Sequence, residues 1–191
     1  MTPRNPTDTT VVLAGVVRAF MDDPLYRWLV PDQARRSDAL AAIVGLTLER
    51  ASQVGEVDTD PSSHAVAAWT APHRELLNDP TPFVDLLDRW APDNRDAALA
   101  GAAAIDAAMP RGARTLHLLA VDPDAQGRGL GSSLLTGRLT TATASGEPVV
   151  LATSKPRNLT FYRRFGFEQV AAVPIAPDGP TMYVLCRPAP G

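Results

Sequence analysis

The sequence of 191 residues has a single cysteine, Cys186, so no internal disulfide can form. It also lacks a marked excess of one charge: the formal net charge is −3, without a long run of like charges. Nucleic-acid-binding proteins need a basic patch, and we therefore expect no nucleic-acid partner. Neither a secretory leader nor a run of roughly twenty apolar residues is recognisable, so we expect a cytoplasmic protein with no membrane partner.

Metal-ligand spacing is also missing. His64, His73 and Cys186 lie far apart in the sequence, and no group of carboxylates accompanies them, so we predict no metal site. With 45% hydrophobic and 20% charged residues, the composition is that of an ordinary globular protein. We expect a poorly structured tail at residues 1–10 and a single domain at 11–191.

What is present is a glycine-rich turn at residues 126–131, Gln-Gly-Arg-Gly-Leu-Gly, between an apolar run and a helical pattern that begins near Gly129. A helix start has unpaired N–H groups and the positive end of the helix dipole, and glycine lets that backbone approach an anion closely. Two other glycine-rich loops are excluded by Ser132. A P-loop would have lysine at this position, and the dinucleotide-binding motif G-x-G-x-x-G would have glycine there. We interpret the turn as a pyrophosphate site, with a plain strand-to-helix connection as the alternative.

A second segment follows about thirty residues later. The apolar run 148–154 predicts a buried strand, and after it come Asn158-Leu159-Thr160-Phe161-Tyr162 and Gly166-Phe167. This segment and the glycine turn together resemble the GNAT superfamily of acetyltransferases, which pair a Q/R-x-x-G-x-G/A loop with N-x-x-x-F-Y-x-x-x-G-F. Within the superfamily the chain is most similar, from about Val12 onward, to puromycin N-acetyltransferase and its relatives.

The resemblance implies an α/β fold: a single mixed β-sheet with a splayed central strand pair, wrapped by helices. Hydrophobic periodicity agrees. It predicts helices at 9–21, 32–53, 83–90, 95–109, from 129 and at 158–165, and strands at 55–58, 64–69, 115–121, 148–153, 167–173 and 181–187. The alanine-rich stretch 72–110 is a helical insertion before the cofactor-binding strand, and we expect it to shape the acceptor side.

One departure from the superfamily concerns the start of the chain. Relatives open with a β-strand, whereas residues 1–10 contain two prolines and no alternating apolar pattern. Whether the edge strand exists therefore stays open.

The resemblance also implies acetyl-CoA as cofactor and indicates which residues hold it. The main chain of Leu119, Ala120 and Val121 is expected to pair with the pantetheine arm as an added strand would. The other expected contacts are Gln126, Gly127, Arg128, Gly129, Leu130, Gly131 and Ser132 from the turn, and Asn158 and Phe161 from the later helix.

Tyr162 is the candidate general acid. A phenol with a pKa of about 10 is protonated at neutral pH and can give its proton to a departing thiolate. A tyrosine in a short helix also serves as packing, and Asn158 also suits the N-cap of the same helix.

The general base and the acceptor site are less defined. Puromycin acetyltransferase and its relatives have glutamate where this chain has Ala152, which leaves His117 and Glu56 as candidates for the base. Asp22 and Asp23 either attract a cationic amine or are surface charges. The candidates for substrate binding are Tyr26, Trp28, Trp69, His117 and Thr153, each of which also suits packing.

The favoured function is an acetyl-CoA-dependent N-acetyltransferase that acts on a primary amine of a small molecule, such as an antibiotic or another metabolite, by direct transfer in a ternary complex. A non-catalytic acyl-CoA-binding or sensing domain is one alternative, and a protein or peptide acetyltransferase is another. The identity of the acceptor, the acyl length and a homodimer stay open.

Overall fold

The computed structural model describes residues 9–190, which form seven helices and six strands. The helices are α1 (Thr9–Phe20), α2 (Pro24–Leu29), α3 (Gln33–Val54), α4 (Thr81–Trp90), α5 (Arg95–Ala108), α6 (Leu130–Ala144) and α7 (Arg157–Arg163). The strands are β1 (Gly55–Thr59), β2 (Ala65–Thr70), β3 (Arg114–Val121), β4 (Val149–Thr153), β5 (Glu168–Pro174) and β6 (Thr181–Arg187). All the predicted elements are present, and only α2 was not predicted.

The six described strands form one sheet in the order β1-β2-β3-β4-β6-β5. β3 and β4 run parallel, whereas every other neighbouring pair is antiparallel. The sheet is therefore mixed, and this confirms the predicted fold class.

Helices cover both faces of the sheet. On the first face, α1 and α3 pack on the β2 and β3 side chains Val66, Ala68, Leu118 and Ala120. On the opposite face, α6 and α7 pack on side chains that include Trp69, Leu116 and Leu151. We call these the α1 face and the α6 face.

The ends of α3 show why this segment is a helix of this length. The Asp32 side chain accepts a hydrogen bond from the Ala34 N–H at 2.9 Å and so caps the start of the helix. Gly55 follows the last helical residue, but its backbone is extended, with φ of −152°. Glycine is needed there for space, because a Cβ would lie 2.0 Å from the Trp69 carbonyl oxygen.

The expected tail at 1–10 lies mostly outside the described residues. Thr9 already belongs to α1, and residues 1–8, where a strand before α1 would lie, are not among those described. The predicted alternatives for an additional edge strand therefore concern residues outside the described part of the chain. Within the described part of the chain, β1 is at the edge of the sheet.

None of the helices in the described residues is long and apolar enough to cross a membrane.

Candidate active site

The central feature of the sheet is an opening between β3 and β4. The two strands pair only from Arg114 with Val149 to Leu116 with Leu151, although β3 continues to Val121. Beyond Leu116 they separate, as the resemblance implied. The separated part of β3 therefore has one edge without a neighbouring strand.

The hydrogen-bond pattern of β2 and β3 shows which main-chain groups line that edge. The Asp122 N–H donates to the His64 carbonyl at 2.7 Å on the β2 side. In an antiparallel pair successive residues alternate in direction, so Ala120 also faces β2, whereas Leu119 and Val121 face the opening. Leu119 and Val121 thus present N–H and C=O groups there, as an edge strand does, and the Val121 carbonyl accepts a hydrogen bond from Gln126 Nε2 at 3.2 Å.

A β-bulge lies at the point where the strands separate. Ala68 of β2 is opposite Leu118 and Trp69 is opposite Leu116, so that His117 has no partner of its own. A bulge bends its strand and changes the direction of a side chain. Here it marks the inner end of the opening.

The glycine turn closes the other end of the opening. Gly127 and Gly129 both have φ of 79°, which disfavours other residues, and Gly129 is the N-cap of α6. No side chain caps this helix, and its first turn contains no acidic residue. The N–H groups at the start of α6 are therefore suited to an anion such as a diphosphate.

A cleft of about 540 Å³ joins the opening, the turn and α7. Its lining includes every predicted cofactor contact except Arg128, whose guanidinium donates to the Asp124 carbonyl at 3.1 Å. The predicted contacts in the lining are Leu119, Ala120, Val121, Gln126, Gly127, Gly129, Leu130, Gly131, Ser132, Asn158 and Phe161, together with Tyr162.

A larger groove of about 960 Å³ lies at the β1 edge, between α3 and α6. It includes no residue of the glycine turn at 126–131 and none of α7. We place the candidate site in the smaller cleft, because the anion-binding turn and Tyr162 both lie there.

α7 forms one wall of the cleft and begins after Pro156, so Asn158 lies inside the helix rather than at its N-cap. The Asn158 side chain donates from Nδ2 to Thr153 Oγ1 at 3.0 Å. Thr153 therefore holds Asn158 in place from the end of β4.

Tyr162 lies on the inner side of α7 and is 7% exposed. Its ring contacts Phe161 and Phe167, at centroid distances of 5.1 and 5.7 Å. Burial raises the pKa of the Tyr162 phenol, so the group is protonated at neutral pH. No hydrogen bond from a described residue holds its hydroxyl, which is free to donate to a bound molecule.

Comparison with known proteins identifies this arrangement. Residues 93–182 match the family model of the acetyltransferase (GNAT) domain. This segment is a little less than half of the chain, so the match is a similarity of residues 93–182 to that family.

Solved structures with similar folds agree with the match. A Corynebacterium glutamicum protein described as histone acetyltransferase HPA2 and related acetyltransferase is 23% identical, with a TM-score of 0.71 and coverage of 100% of this chain and 96% of its own. PH1933 from Pyrococcus horikoshii is 14% identical, with a TM-score of 0.57 and the same coverage. These likenesses support the GNAT fold.

Several residues that line this cleft were not predicted. Ala19 and Phe20 at the end of α1, Ala125, and the cations Lys155 and Arg157 lie beside the predicted contacts. Arg164 also lines the cleft and lies over the Phe161 ring at 5.4 Å. Lys155 and Arg157 could have been found from their position in the sequence, because they stand on either side of the proline between the predicted strand at 148–153 and the helix that carries Tyr162.

His117 lies on the α1 face, where its Nε2 is 2.9 Å from Thr70 Oγ1. The residue is exposed, yet protein atoms crowd its ring, and this burial lowers the pKa of His117 to about 4. The imidazole is therefore neutral at physiological pH.

The insertion covers the part of the sheet formed by β4, β5 and β6. Ile105, Ala108 and Met109, in and just after α5, pack with Ala152 around the buried β4 and β6 side chains. The position at which relatives have glutamate therefore lies on the α1 face, against α5.

The remaining candidates do not share one pocket. Trp69 is fully buried on the α6 face, and Tyr26 and Trp28 pack among the helices of the α1 face. Glu56 is paired with Arg114 at 2.8 Å and with Arg138 at 3.1 Å.

Asp22 is exposed, whereas Asp23 is buried and forms the N-cap of α2. Among the described residues, no group of three or more His, Cys, Asp or Glu side chains is arranged to hold a metal ion.

Proposed function

We propose that this acetyltransferase uses acetyl-CoA to acetylate a primary amine of a small molecule, by direct transfer in a ternary complex. The observation that supports the proposal most is the opening between β3 and β4, which meets an uncapped helix start at one end. An extended amide-containing chain with a diphosphate at one end has the chemistry that fits both features.

The residues of the cleft fit the cofactor in three parts. The first N–H groups of α6 would hold the diphosphate, with Arg157 and Arg164 as nearby cations. The main chain of Leu119 and Val121 would pair with the pantetheine amides. When bound, acetyl-CoA supplies the acetyl group as a thioester.

Tyr162 and the β3 main chain have complementary roles in this proposal. The Tyr162 hydroxyl, which is protonated and lines the cleft, would supply the proton that a departing thiolate needs. An N–H group on the open edge of β3 donates to the oxygen on which negative charge develops. Both donors are in place before the reaction, so the transfer requires no reorganisation of the protein.

The acceptor amine would approach from the α1 face, beside His117. The neutral imidazole, hydrogen-bonded to Thr70, can accept the proton that the amine loses. Because α5 covers the sheet at Ala152, the approach is narrowed on that side, which favours a small acceptor over a protein surface.

A thiol-release screen tests the proposal. Acetyl-CoA is offered with aminonucleosides, aminoglycosides, polyamines and amino-acid derivatives, and free thiol and acetylated amine are measured. We expect equal amounts of both products for at least one class of amine, and no acetylated protein when the amine is omitted. Tight binding of coenzyme A without turnover across the panel would contradict the proposal and favour a sensing domain.

A further inference from the structure

Lys155 is the single lysine of the chain, and it lies in the wall of the cofactor cleft. It lies two residues after the end of β4 and two residues before α7, which carries Asn158 and Tyr162. Its side chain is only 14% exposed. A lysine is rarely so buried unless its charge is paired.

The Lys155 ammonium reaches across the cleft to the corner between α1 and α2. Its Nζ lies 3.4 Å from Asp23 Oδ2 and 3.4 Å from the Ala19 carbonyl oxygen. It also lies 5.6 Å from the centroid of the Phe20 ring. The Ala19 carbonyl is at the C-terminal end of α1, where a cation is favourable.

Asp23 is fixed independently of this pair. Its Oδ1 accepts from the Leu25 N–H at 3.0 Å, as the N-cap of α2, and from Ser154 Oγ at 2.7 Å. Among the described residues, Lys155 is the only cation paired with the carboxylate. The Asp23 carboxylate is thus held at the corner between α1 and α2 by its own hydrogen bonds, and Lys155 contacts it from the opposite side of the cleft.

The pair connects two segments that line the same cleft: Ala19 and Phe20 on one side, and Asn158 and Tyr162 on the other. We propose that Lys155 is a positioning residue, which holds the corner between α1 and α2 against the start of α7 and so sets the width of the cofactor cleft. The inference rests on the proposed function for the identity of the cofactor. Without Lys155, the corner stays tied to this segment through the Ser154–Asp23 hydrogen bond but loses the contact nearest to α7. Without the Asp23 charge, the buried ammonium keeps only the Ala19 carbonyl as a hydrogen-bond partner, so either change weakens the hold on the corner.

A direct role predicts a different outcome. If Lys155 instead binds a phosphate of the cofactor, Asp23 competes with that phosphate for the ammonium. Loss of the Asp23 charge would then strengthen binding, whereas loss of a positioning contact weakens it. The two roles of the same side chain can therefore be distinguished by mutating its partner.

The experiment measures the Kd of coenzyme A by calorimetry, which requires no acceptor and no turnover. We expect Lys155→Met and Asp23→Asn each to weaken binding by about tenfold, and the double variant to be no weaker than either single variant. Lys155→Arg should restore most of the affinity, because it keeps the charge. Arg27→Met, which removes an exposed charge from α2, is the control and should bind normally.

Two results overturn the inference: unchanged affinity in both single variants, or tighter binding by Asp23→Asn. Wild type without measurable binding of coenzyme A overturns the proposed function and this inference together. Wild-type binding with unaffected variants overturns this inference alone.

A labelling experiment tests the same contact in wild type, so that it does not depend only on how well the variants fold. Since Lys155 is the only lysine, peptide mapping after treatment with an amine-reactive ester gives the reactivity of one side chain. We expect slow labelling of wild type, still slower labelling with coenzyme A, and faster labelling of folded Asp23→Asn without ligand. Equal rates in wild type and Asp23→Asn would show that the pair does not hold the ammonium and would overturn the inference.

Discussion

Tyr162 combines a packing role with the catalytic role that we propose for it. Its ring is part of the core on the α6 face, and the residue also lines the cleft. Burial raises the pKa of the phenol, so the group is protonated at neutral pH. Packing and catalysis are therefore not exclusive interpretations of this residue.

Tyr162→Phe separates the two functions, because phenylalanine keeps the ring and removes the proton. We expect kcat to fall by about 10²- to 10⁴-fold, the usual contribution of general acid catalysis, with little change in the Kd of coenzyme A. Steady-state kinetics and calorimetry provide the two values. Tyr183→Phe, on a partly buried tyrosine of β6, is the matched control. Full activity of Tyr162→Phe across pH would exclude Tyr162 as the acid.

His117 gives a prediction on stability and pH. Its pKa is lowered by burial to about 4, from an ordinary value near 6.5, so the folded protein binds this proton less readily than the unfolded chain. The contribution of His117 to stability is therefore fully present above pH 6.5 and is lost as the pH falls towards 4. We expect wild type to lose more thermal stability than His117→Gln between pH 7 and pH 5, as measured by melting temperature. Parallel curves for the two proteins would contradict the shift.

Single residues were predictable only where a sequence motif identified them. The turn glycines, Asn158 and Tyr162 have fixed spacing, and the structure brings them into one cleft. Lys155 has no such spacing, since its partner Asp23 is more than a hundred residues away. Likewise, the exposure of His117 follows from a bulge, which depends on the pairing of two strands.

The helices illustrate a different limit at the scale of elements. α2 has two start signals, Asp23 as N-cap and Pro24 in the first turn, but it is only six residues long. So short a segment shows little periodicity, and its helical form depends on packing against α3. The longer helices were predictable because their apolar residues recur on one side.

Glycines inside two of these helices suggest a simple gain in stability. A Cβ at Gly45 of α3 or at Gly137 of α6 would meet no atom within 4 Å. Alanine at either position should therefore raise the free energy of unfolding by about 0.5–1 kcal/mol, through better helix propensity. Chemical denaturation gives this value directly.

Gly55→Ala is the contrasting variant. Its Cβ would lie 2.0 Å from the Trp69 carbonyl, so β1 would have to shift away from β2. We expect a loss of at least about 1 kcal/mol, as for other overpacked sites. If alanine at positions 45 and 137 destabilised the protein as much as alanine at 55, free space would not be the deciding factor.

At the scale of the whole molecule, the sequence determined the order and type of the elements but not all of their contacts. The alternating pattern of helices and strands, together with the glycine turn, was sufficient to predict a mixed sheet. The position of α5 over β4 and β6 could not be predicted in the same way, because these strands lie far from α5 in the sequence and the contact depends on the folding of the whole chain. Its effect on the acceptor side is a property of the assembled fold.

The brief pairing of β3 with β4 means that the middle of the sheet is joined by only three residue pairs. A ligand whose amides occupied the gap would complete the missing hydrogen bonds and act as a seventh strand made of another molecule. Ligand binding and the stability of the sheet would then be thermodynamically linked. A change that favours the sheet with the gap filled over the sheet with the gap empty would also tighten binding. Such a molecule would be a substrate of the protein and, while it is bound, would also be one strand of its sheet.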